Sequence, residues 1–303
     1  MSIEVAKERA LTFPVSRTDD PAYLKIRDLI YRVSGIYHSE QKLYLLVSSC
    51  NRRMSACKAA SPLQYLDHLT TRPNRDGELR LLLNEITIGE TYMFRHPAHL
   101  EALHNVILPQ IIQAKSAIGT KRIRLWSAGC STGEEPYTLA IFLLEEKEKQ
   151  LAGWDFDILA TDLNSNSLEA ARAGIYGEYA LRNTAGTLRK KYFLEAGTKF
   201  RVNDLVKSHV RFDRVNLSDA SRMVFFKGID VIFCCNVLIY FDVASKRRVV
   251  RHFYTNLVPG GYVFLGHAES LFHVDDSFRL VHLPGTTVYW KPPPARSATG
   301  GKP

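Results

Sequence analysis

Glu134 and Glu135 stand side by side in the stretch Arg124 to Tyr137, which reads Arg-Leu-Trp-Ser-Ala-Gly-Cys-Ser-Thr-Gly-Glu-Glu-Pro-Tyr. Apolar, β-prone residues come first, at Ile123, Leu125 and Trp126. Glycines follow at 129 and 133, and a helical apolar run continues from Leu139 to Leu144. Strand, glycine turn and helix is the unit with which doubly wound α/β folds cradle nucleotides. Dinucleotide binders present bare N–H groups and a positive helix end to a diphosphate. Two carboxylates at that mouth would repel a diphosphate and suit a ligand offering hydroxyls or a cation. S-adenosylmethionine, with its ribose, ammonium and sulfonium, has that chemistry. An ordinary turn with plain helix caps is the competing reading. Ser131 with Glu134, or Thr132 with Glu135, has capping-box spacing, and Pro136 suits a first helical turn.

Other polar groups fall where such folds bind ligands, beyond the carboxyl ends of strands. Asp162 ends a second apolar run and could accept hydrogen bonds from ribose hydroxyls, although it lies 29 residues past Gly133 rather than the usual spacing of about 20. A cap for the helix after Asn164 is the alternative. Asn216 and Leu217 end a third run, as a ligand contact or a plain turn. Asn236 ends a fourth, with Tyr240 four residues on; His267 and Glu269 follow a fifth. Thr91 and Arg95 are four apart, so on a helix they share a face. An arginine there could grip a carboxylate with two parallel hydrogen bonds. Gly89 precedes them.

The elements that must hold these groups read as follows. Candidate strands are Arg122–Ser127, Phe156–Thr161, Val210–Leu217, Ile229–Asn236 and Tyr262–Gly266. Helices are expected over Glu135–Lys149, Ser165–Ala173 and Val243–Asn256. Alternation with near-continuous apolar strands predicts a doubly wound, mostly parallel sheet covered on both faces. Phe278–Leu283 and Thr287–Trp290 suggest a terminal antiparallel pair around Pro284-Gly285. Phe200–Val202 with part of His209–Phe212 suggests a small inserted β hairpin.

Upstream, residues 21–83 carry helical periodicity and form a small all-α domain. Residues 1–20 are expected to be flexible, 84–97 to link the two parts, 98–290 to form the α/β domain, and the Pro-, Ser- and Gly-rich 291–303 to be a disordered tail. The second helix of the small domain carries Lys42, Arg52, Arg53 and Lys58, with no Asp or Glu between Glu40 and Asp67. That face is either solvated or a docking surface for an acidic helix.

The 303 residues are 46% hydrophobic and 23% charged, with a formal net charge of +9. No apolar run approaches the roughly 20 residues that span a bilayer, and the N-terminus lacks a signal-peptide core. A cytoplasmic chain is expected. The five cysteines show no metal-ligand pattern, so no metal is expected. The basic balance favours an acidic partner.

Taken together the motifs resemble the chemotaxis receptor glutamate methyltransferase (CheR) family. The matching pieces are Thr91-Tyr92-Met93-Phe94-Arg95, Ser127 to Tyr137, Ala160-Thr161-Asp162, Phe233-Cys234-Cys235-Asn236-Val237-Leu238-Ile239-Tyr240-Phe241 and Gly266-His267-Ala268-Glu269. The resemblance spans about residues 20–290 and implies a Rossmann-like, S-adenosylmethionine-dependent methyltransferase with an all-α N-terminal domain. It implies transfer of a methyl group to receptor glutamates as γ-methyl esters, leaving S-adenosyl-L-homocysteine.

By matching position, Gly89, Thr91, Arg95, Gly129, Glu134 or Glu135, Asp162, Asn216, Leu217, Cys235 and Asn236 would lie at the cofactor. Arg95 and Tyr240 would act at the reaction, Arg95 by holding a carboxylate and Tyr240 by orienting the acceptor. The helical domain, through Arg52, Arg53 and Lys58, would face the cytoplasmic helices of a chemoreceptor. Three positions depart from the family pattern: Gly89 replaces Asn, Met93 replaces Phe, and Cys235 replaces Arg. The segment from Phe193 to Val202 lacks the extra-glycine loop of members that dock a tethering peptide, implying independence of such a tether.

A glutamate acceptor, with a free pKa of about 4.3, is already ionised at neutral pH. The expected chemistry therefore needs alignment and no general base. A non-catalytic cofactor-sensing or receptor-docking module is the alternative. A nucleic-acid methyltransferase fits less well, because Val-Leu-Ile follows Asn236 where a base-flipping enzyme would carry Pro-Pro and an aromatic residue. A monomer without nucleic acid or membrane insertion is expected.

Overall fold

A computed structural model describes residues 20–87, 89–223 and 226–294. The expectations of a flexible start before Asp20 and a disordered tail beyond Pro294 fall outside these residues. Inside them, Lys291 is firmly placed: its Nζ donates to the carbonyls of Tyr254 and Leu257, both at 2.7 Å.

Four helices form the N-terminal unit: α1 (Pro21–Ser34), α2 (Leu43–Cys57), α3 (Pro62–Thr70) and α4 (Arg75–Ile86). Their starts and stops are written locally. Asp20 accepts the Ala22 N–H ahead of Pro21, and Gly35 ends α1 at φ 77°; Ser61 accepts the Gln64 N–H ahead of Pro62. Ile26, Ile30, Leu46, Cys50, Tyr65 and Leu82 bury completely to make a core of their own.

The second unit begins with α5 (Pro97–Ala102), which runs through a π turn at Leu103–Ile107 into α6 (Leu108–Ser116). There follow β1 (Arg122–Ala128), α7 (Glu134–Lys147), β2 (Asp155–Asp162), α8 (Ser165–Ala173), β3 (Ile175–Tyr176), α9 (Gly186–Tyr192), β4 (Phe193–Ala196), β5 (Lys199–Val202), α10 (Asp204–Ser208) and β6 (Val210–Arg214). The chain closes with α11 (Ala220–Met223), β7 (Ile229–Cys234), α12 (Val243–Asn256), β8 (Leu257–Leu265), β9 (Arg279–Leu283) and β10 (Thr286–Trp290).

Among the described residues the main sheet has seven strands in the order β6-β2-β1-β7-β8-β10-β9. The β6, β2, β1, β7 and β8 strands are parallel, and β10 pairs antiparallel with both β8 and β9. Strand residues alternate between two cores, as the pleat demands. Ile123, Leu125, Val231, Phe233, Tyr262 and Phe264 face α7 and the α5–α6 helix. Trp126, Ala128, Ile232, Cys234, Val263 and Leu265 face α12. Strand order reverses at β1, which sends the chain outward to β2 on one side and leaves β7 on the other. A crevice therefore opens beyond the carboxyl ends of β1 and β7.

Three expectations of local structure are corrected. The small insertion is a three-stranded sheet in the order β3-β5-β4. Residues 209–212 take no part in it, because Val210–Arg214 pairs in parallel with β2. The linker before α5 is not helical, so Thr91 and Arg95 share no helix face. Phe94 sits at φ 56°, and the segment is pinned by bonds from the Met93 N–H to the Ala180 carbonyl (2.9 Å) and from the Phe94 N–H to Thr138 Oγ1 (3.0 Å). No capping box opens α7, whose N-cap is Gly133 at φ 96°.

Candidate active site

A cavity of about 280 Å³ lies at the switch point. The loop after β1 supplies Gly129, Cys130 and Ser131. Asp162 ends β2 and Leu163 follows it, Asn216 and Leu217 come from beyond β6, and Cys235, Asn236 and Tyr240 from beyond β7. The extended linker adds Gly89, Thr91, Arg95 and His96, and the helical domain adds Ser34 and Ile36. Residues far apart in sequence thus converge because each ends an element on the same edge.

Backbone geometry explains the glycines. At Gly129 (φ +82°) a Cβ would lie 2.4 Å from Val237 Cγ2. At Gly133 it would lie 2.9 Å from the Ala171 Cβ. The loop is fixed from below, since the N–H groups of Gly129 and Cys130 both donate to the Thr161 carbonyl, at 2.7 and 2.9 Å. Asp162 ties two loops together: its Oδ2 accepts the Ser131 N–H and its Oδ1 the Asn164 N–H, each at 2.8 Å. The helix cap after β2 is Asn164, whose Oδ1 accepts the N–H groups of Asn166 and Ser167. Asp162 therefore faces the cavity instead of capping α8.

The two glutamates part company. Glu135 lines the cavity, and its Oε1 accepts the Ser127 hydroxyl at 2.6 Å. Burial pushes its carboxyl up to about 7, although Ser127, Cys235 and the charge of Arg95 pull the other way. Glu134 is only 4% exposed, is absent from the lining and accepts the Thr132 hydroxyl. Of the two alternatives, Glu135 and not Glu134 turns into the cavity, because consecutive residues in the first turn of α7 point about 100° apart. Burial raises the Asp162 carboxyl too, against its amide bonds. The cavity thus holds two carboxylates that desolvation makes reluctant to ionise, which favours a cationic guest.

Arg95 enters the cavity wall with Nη1 donating to the Glu90 carbonyl at 2.6 Å and its guanidinium 5.6 Å from the Tyr92 ring centre. Tyr240 lines the wall, and burial holds its phenol above the ordinary range, hence protonated at neutral pH. Cys235 also lines the wall, with Sγ 3.8 Å from His99 Nδ1; burial drives its thiol well up and keeps it unionised. Gly89 faces Ser131, whose Oγ a Cβ would approach to 2.7 Å. Asn216 already employs its amide, donating to the Val33 carbonyl at 2.6 Å and accepting the Ser218 N–H at 3.0 Å. Leu217 contributes an apolar wall.

Arg52, Arg53 and Lys58 lie on α2 and its C-cap, away from this cavity. Arg53 is not part of an outward basic face: it forms a two-bond pair with Glu78, at 3.0 and 2.9 Å, and Tyr65 donates to the same carboxylate. Arg52 meets Glu85 at 2.7 Å but stays half exposed. Both acids come from α4, which local sequence around α2 could not reveal. Lys58 is exposed.

Sequence reasoning passed over His96 and His99, whose rings stack at 4.8 Å beside His267. Burial and neighbouring positive groups push both down, His96 to about 4 and His99 to about 3, so they are neutral at physiological pH. Both nitrogens of His96 are buried without partners, as are Ser131 Oγ and Asn236 Oδ1. The one available signal was the position of His96 next to Arg95. Among the described residues no cluster of His, Cys, Asp and Glu could hold a metal ion, and no helix is long and apolar enough to cross a membrane.

Comparison with known proteins covers both units. Residues 21–87 match the family described as "CheR methyltransferase, all-alpha domain" and residues 89–287 match "CheR methyltransferase, SAM binding domain". Chemotaxis protein methyltransferase 2 of Vibrio cholerae is 34% identical over 92% of this chain and 95% of its own length. The chemotaxis protein methyltransferase of Borreliella burgdorferi is 35% identical over 80% of this chain and 86% of its own. Chemotaxis protein methyltransferase 2 of Pseudomonas aeruginosa is 34% identical over 88% and 91%.

Proposed function

The chain belongs to the CheR methyltransferase family and uses S-adenosylmethionine, and on that premise we propose that it methylates glutamate side chains of chemoreceptors as γ-methyl esters. The observation that carries the reading is the cavity itself. Glu135 and Asp162 both line the cavity at the β1–β7 switch point, and no lysine is among the described residues that line it. That is where a cationic adenosyl compound fits and a dinucleotide does not.

The buried, unpartnered Ser131 Oγ and Asn236 Oδ1 are hydrogen-bonding groups awaiting a polar guest. A Cβ at Gly89 would crowd Ser131 Oγ to 2.7 Å, so the glycine leaves that hydroxyl clear. Glu135 would hold the ammonium end, Asp162 the ribose hydroxyls, and the backbone at Asn216 and Leu217 the adenine edge. When bound, S-adenosylmethionine supplies a methyl group on a sulfonium that departs as neutral S-adenosylhomocysteine.

The chain's own part is alignment. Arg95 holds a carboxylate at the cavity rim, and the protonated Tyr240 phenol donates to the acceptor. Ile36 and the helical domain exclude water from one side. No proton has to move, because the acceptor is already an anion. Orientation of this kind can supply on the order of 7–11 kcal/mol. Arg52 and Lys58, with the overall basic charge, guide an acidic helical partner; Arg53 serves the fold instead. The two residues Gly197-Thr198 join β4 to β5 directly, in keeping with a protein that needs no tethering peptide.

Incubation of the full chain with methyl-labelled S-adenosylmethionine and receptor cytoplasmic domains tests this. Label that stays with the receptor and is released by mild base supports it. Cofactor binding with no label transferred to any receptor would replace it with a sensing module.

A further inference from the structure

Asn236 sits at φ 63°, a left-handed conformation that asparagine adopts more readily than most residues, and its backbone is held there by a side chain from another element. That side chain is Glu269. Its Oε2 accepts the N–H groups of Asn236 and Gly266, both at 2.7 Å, and its Oε1 accepts the Ile239 N–H at 3.2 Å. The Glu269 N–H donates in turn to the Gly266 carbonyl at 2.9 Å, so the two residues grip each other from both sides. Only glycine fits at 266, where a Cβ would lie 2.8 Å from Glu269 Oε2 and 2.9 Å from the Asn236 nitrogen.

The clamped segment leads straight into the site. Asn236, Ile239 and Tyr240 line the cavity, whereas Glu269 lies outside its lining. Beyond Ile239 the chain meets the helical domain: the Tyr240 carbonyl accepts the Tyr37 N–H at 2.9 Å, and Phe241 bridges to Ile36. We propose that Glu269 is a positioning residue, one carboxylate that fixes the path of residues 236–241 and so places Asn236 toward the cofactor and Tyr240 toward the methyl acceptor. The assignment of the two ends rests on the methyl-transfer reading above; the clamp itself does not.

A carboxylate suits the task because both of its oxygens accept. Glutamine has one acceptor oxygen. In Glu269→Gln that oxygen keeps Asn236 and Gly266, while the amide NH2 is turned toward the Ile239 N–H, donor against donor. The variant keeps the shape of the side chain and is expected to fold. Affinity for S-adenosylhomocysteine should stay within about threefold of wild type, while methyl transfer at saturating cofactor should fall about tenfold or more, since small misplacements of reacting groups are costly. Glu269→Ala, which releases all three amides, should weaken both.

Amide hydrogen exchange with S-adenosylhomocysteine bound supplies a readout that needs no turnover. In Glu269→Gln the Ile239 amide should exchange faster while Asn236 and Gly266 stay protected. Unchanged Ile239 exchange, or wild-type turnover in Glu269→Gln, overturns the proposal. So does a uniform loss of melting temperature, affinity and turnover together in that variant, which would mark Glu269 as merely structural. If the wild-type chain transfers no methyl group, the functional reading falls and the exchange pattern alone decides the clamp.

Discussion

At the scale of single residues, Glu135 carries the site's electrostatics. Its carboxyl rises from an ordinary 4.5 to about 7, chiefly through burial. The folded chain therefore holds this proton more tightly than the unfolded one. Its contribution to stability is full below the ordinary value and is lost as pH climbs through about 7. A cationic ligand prefers the ionised form, so binding below that pH releases a proton. Affinity for S-adenosylmethionine should then rise with pH, by up to about tenfold per unit, and flatten above neutrality. Calorimetry in buffers of different ionisation enthalpy reads both effects. Glu135→Gln should bind more weakly with a flat profile, and a flat profile in the wild type would remove Glu135 from the site.

At the scale of elements, the β1–α7 crossover depends on close backbone approach. Gly133→Ala must place a methyl group 2.9 Å from the Ala171 Cβ while keeping φ at +96°. A loss of about 1–3 kcal/mol by chemical denaturation is expected, with weaker cofactor binding because Ser131 and Glu135 flank the turn. In α2, Arg53→Ala should cost about 1.5–3 kcal/mol, since it leaves Glu78, which is only 8% exposed, without its counter-charge and with Tyr65 as its remaining side-chain donor. Arg52→Ala, removing a half-exposed pair, should cost about 0–1 kcal/mol. Comparable losses from both would mean that Arg53 is no more built in than Arg52.

At the scale of the whole molecule, the two units are locked around the cavity by side-chain amides. Asn84 of α4 donates to Ser165 Oγ and Asn166 Oδ1 and accepts the Ser165 N–H at 3.0 Å, and its carbonyl takes the Asn164 amide at 3.1 Å. Asn216 reaches Val33 on the other side. Leu163 and Tyr240 also pack against the helical core. Asn84 lies outside the cavity lining, yet Asn84→Ala should lower stability by about 1–3 kcal/mol and weaken S-adenosylhomocysteine binding as well. Thermal shift with and without ligand separates the two effects. A lower melting temperature with unaltered affinity would show that the helical unit does not shape the site.

Much of this could be read from local sequence. Alternation of helices with near-continuous apolar strands determined the parallel sheet, because a strand buried on both faces must be apolar throughout. Helices 165–173 and 243–256 were legible to the residue, and the structure shows Asn164 and Asp242 as their caps. Asp162 and Asn236 were legible as strand-end positions, Gly129 as the turn after the first strand, and Tyr240 as following four residues past Asn236. Which of Glu134 and Glu135 turns to the cavity was not: the identity of the N-cap sets the helix phase, and only the folded β1–α7 turn, with Gly133 as N-cap, points Glu135 inward. Nor did local sequence reveal the inward turn of Arg53, the histidine stack beside Cys235, or the hold of Glu269 on Asn236. Each depends on a partner brought in from another element, and such distances are set by tertiary packing alone.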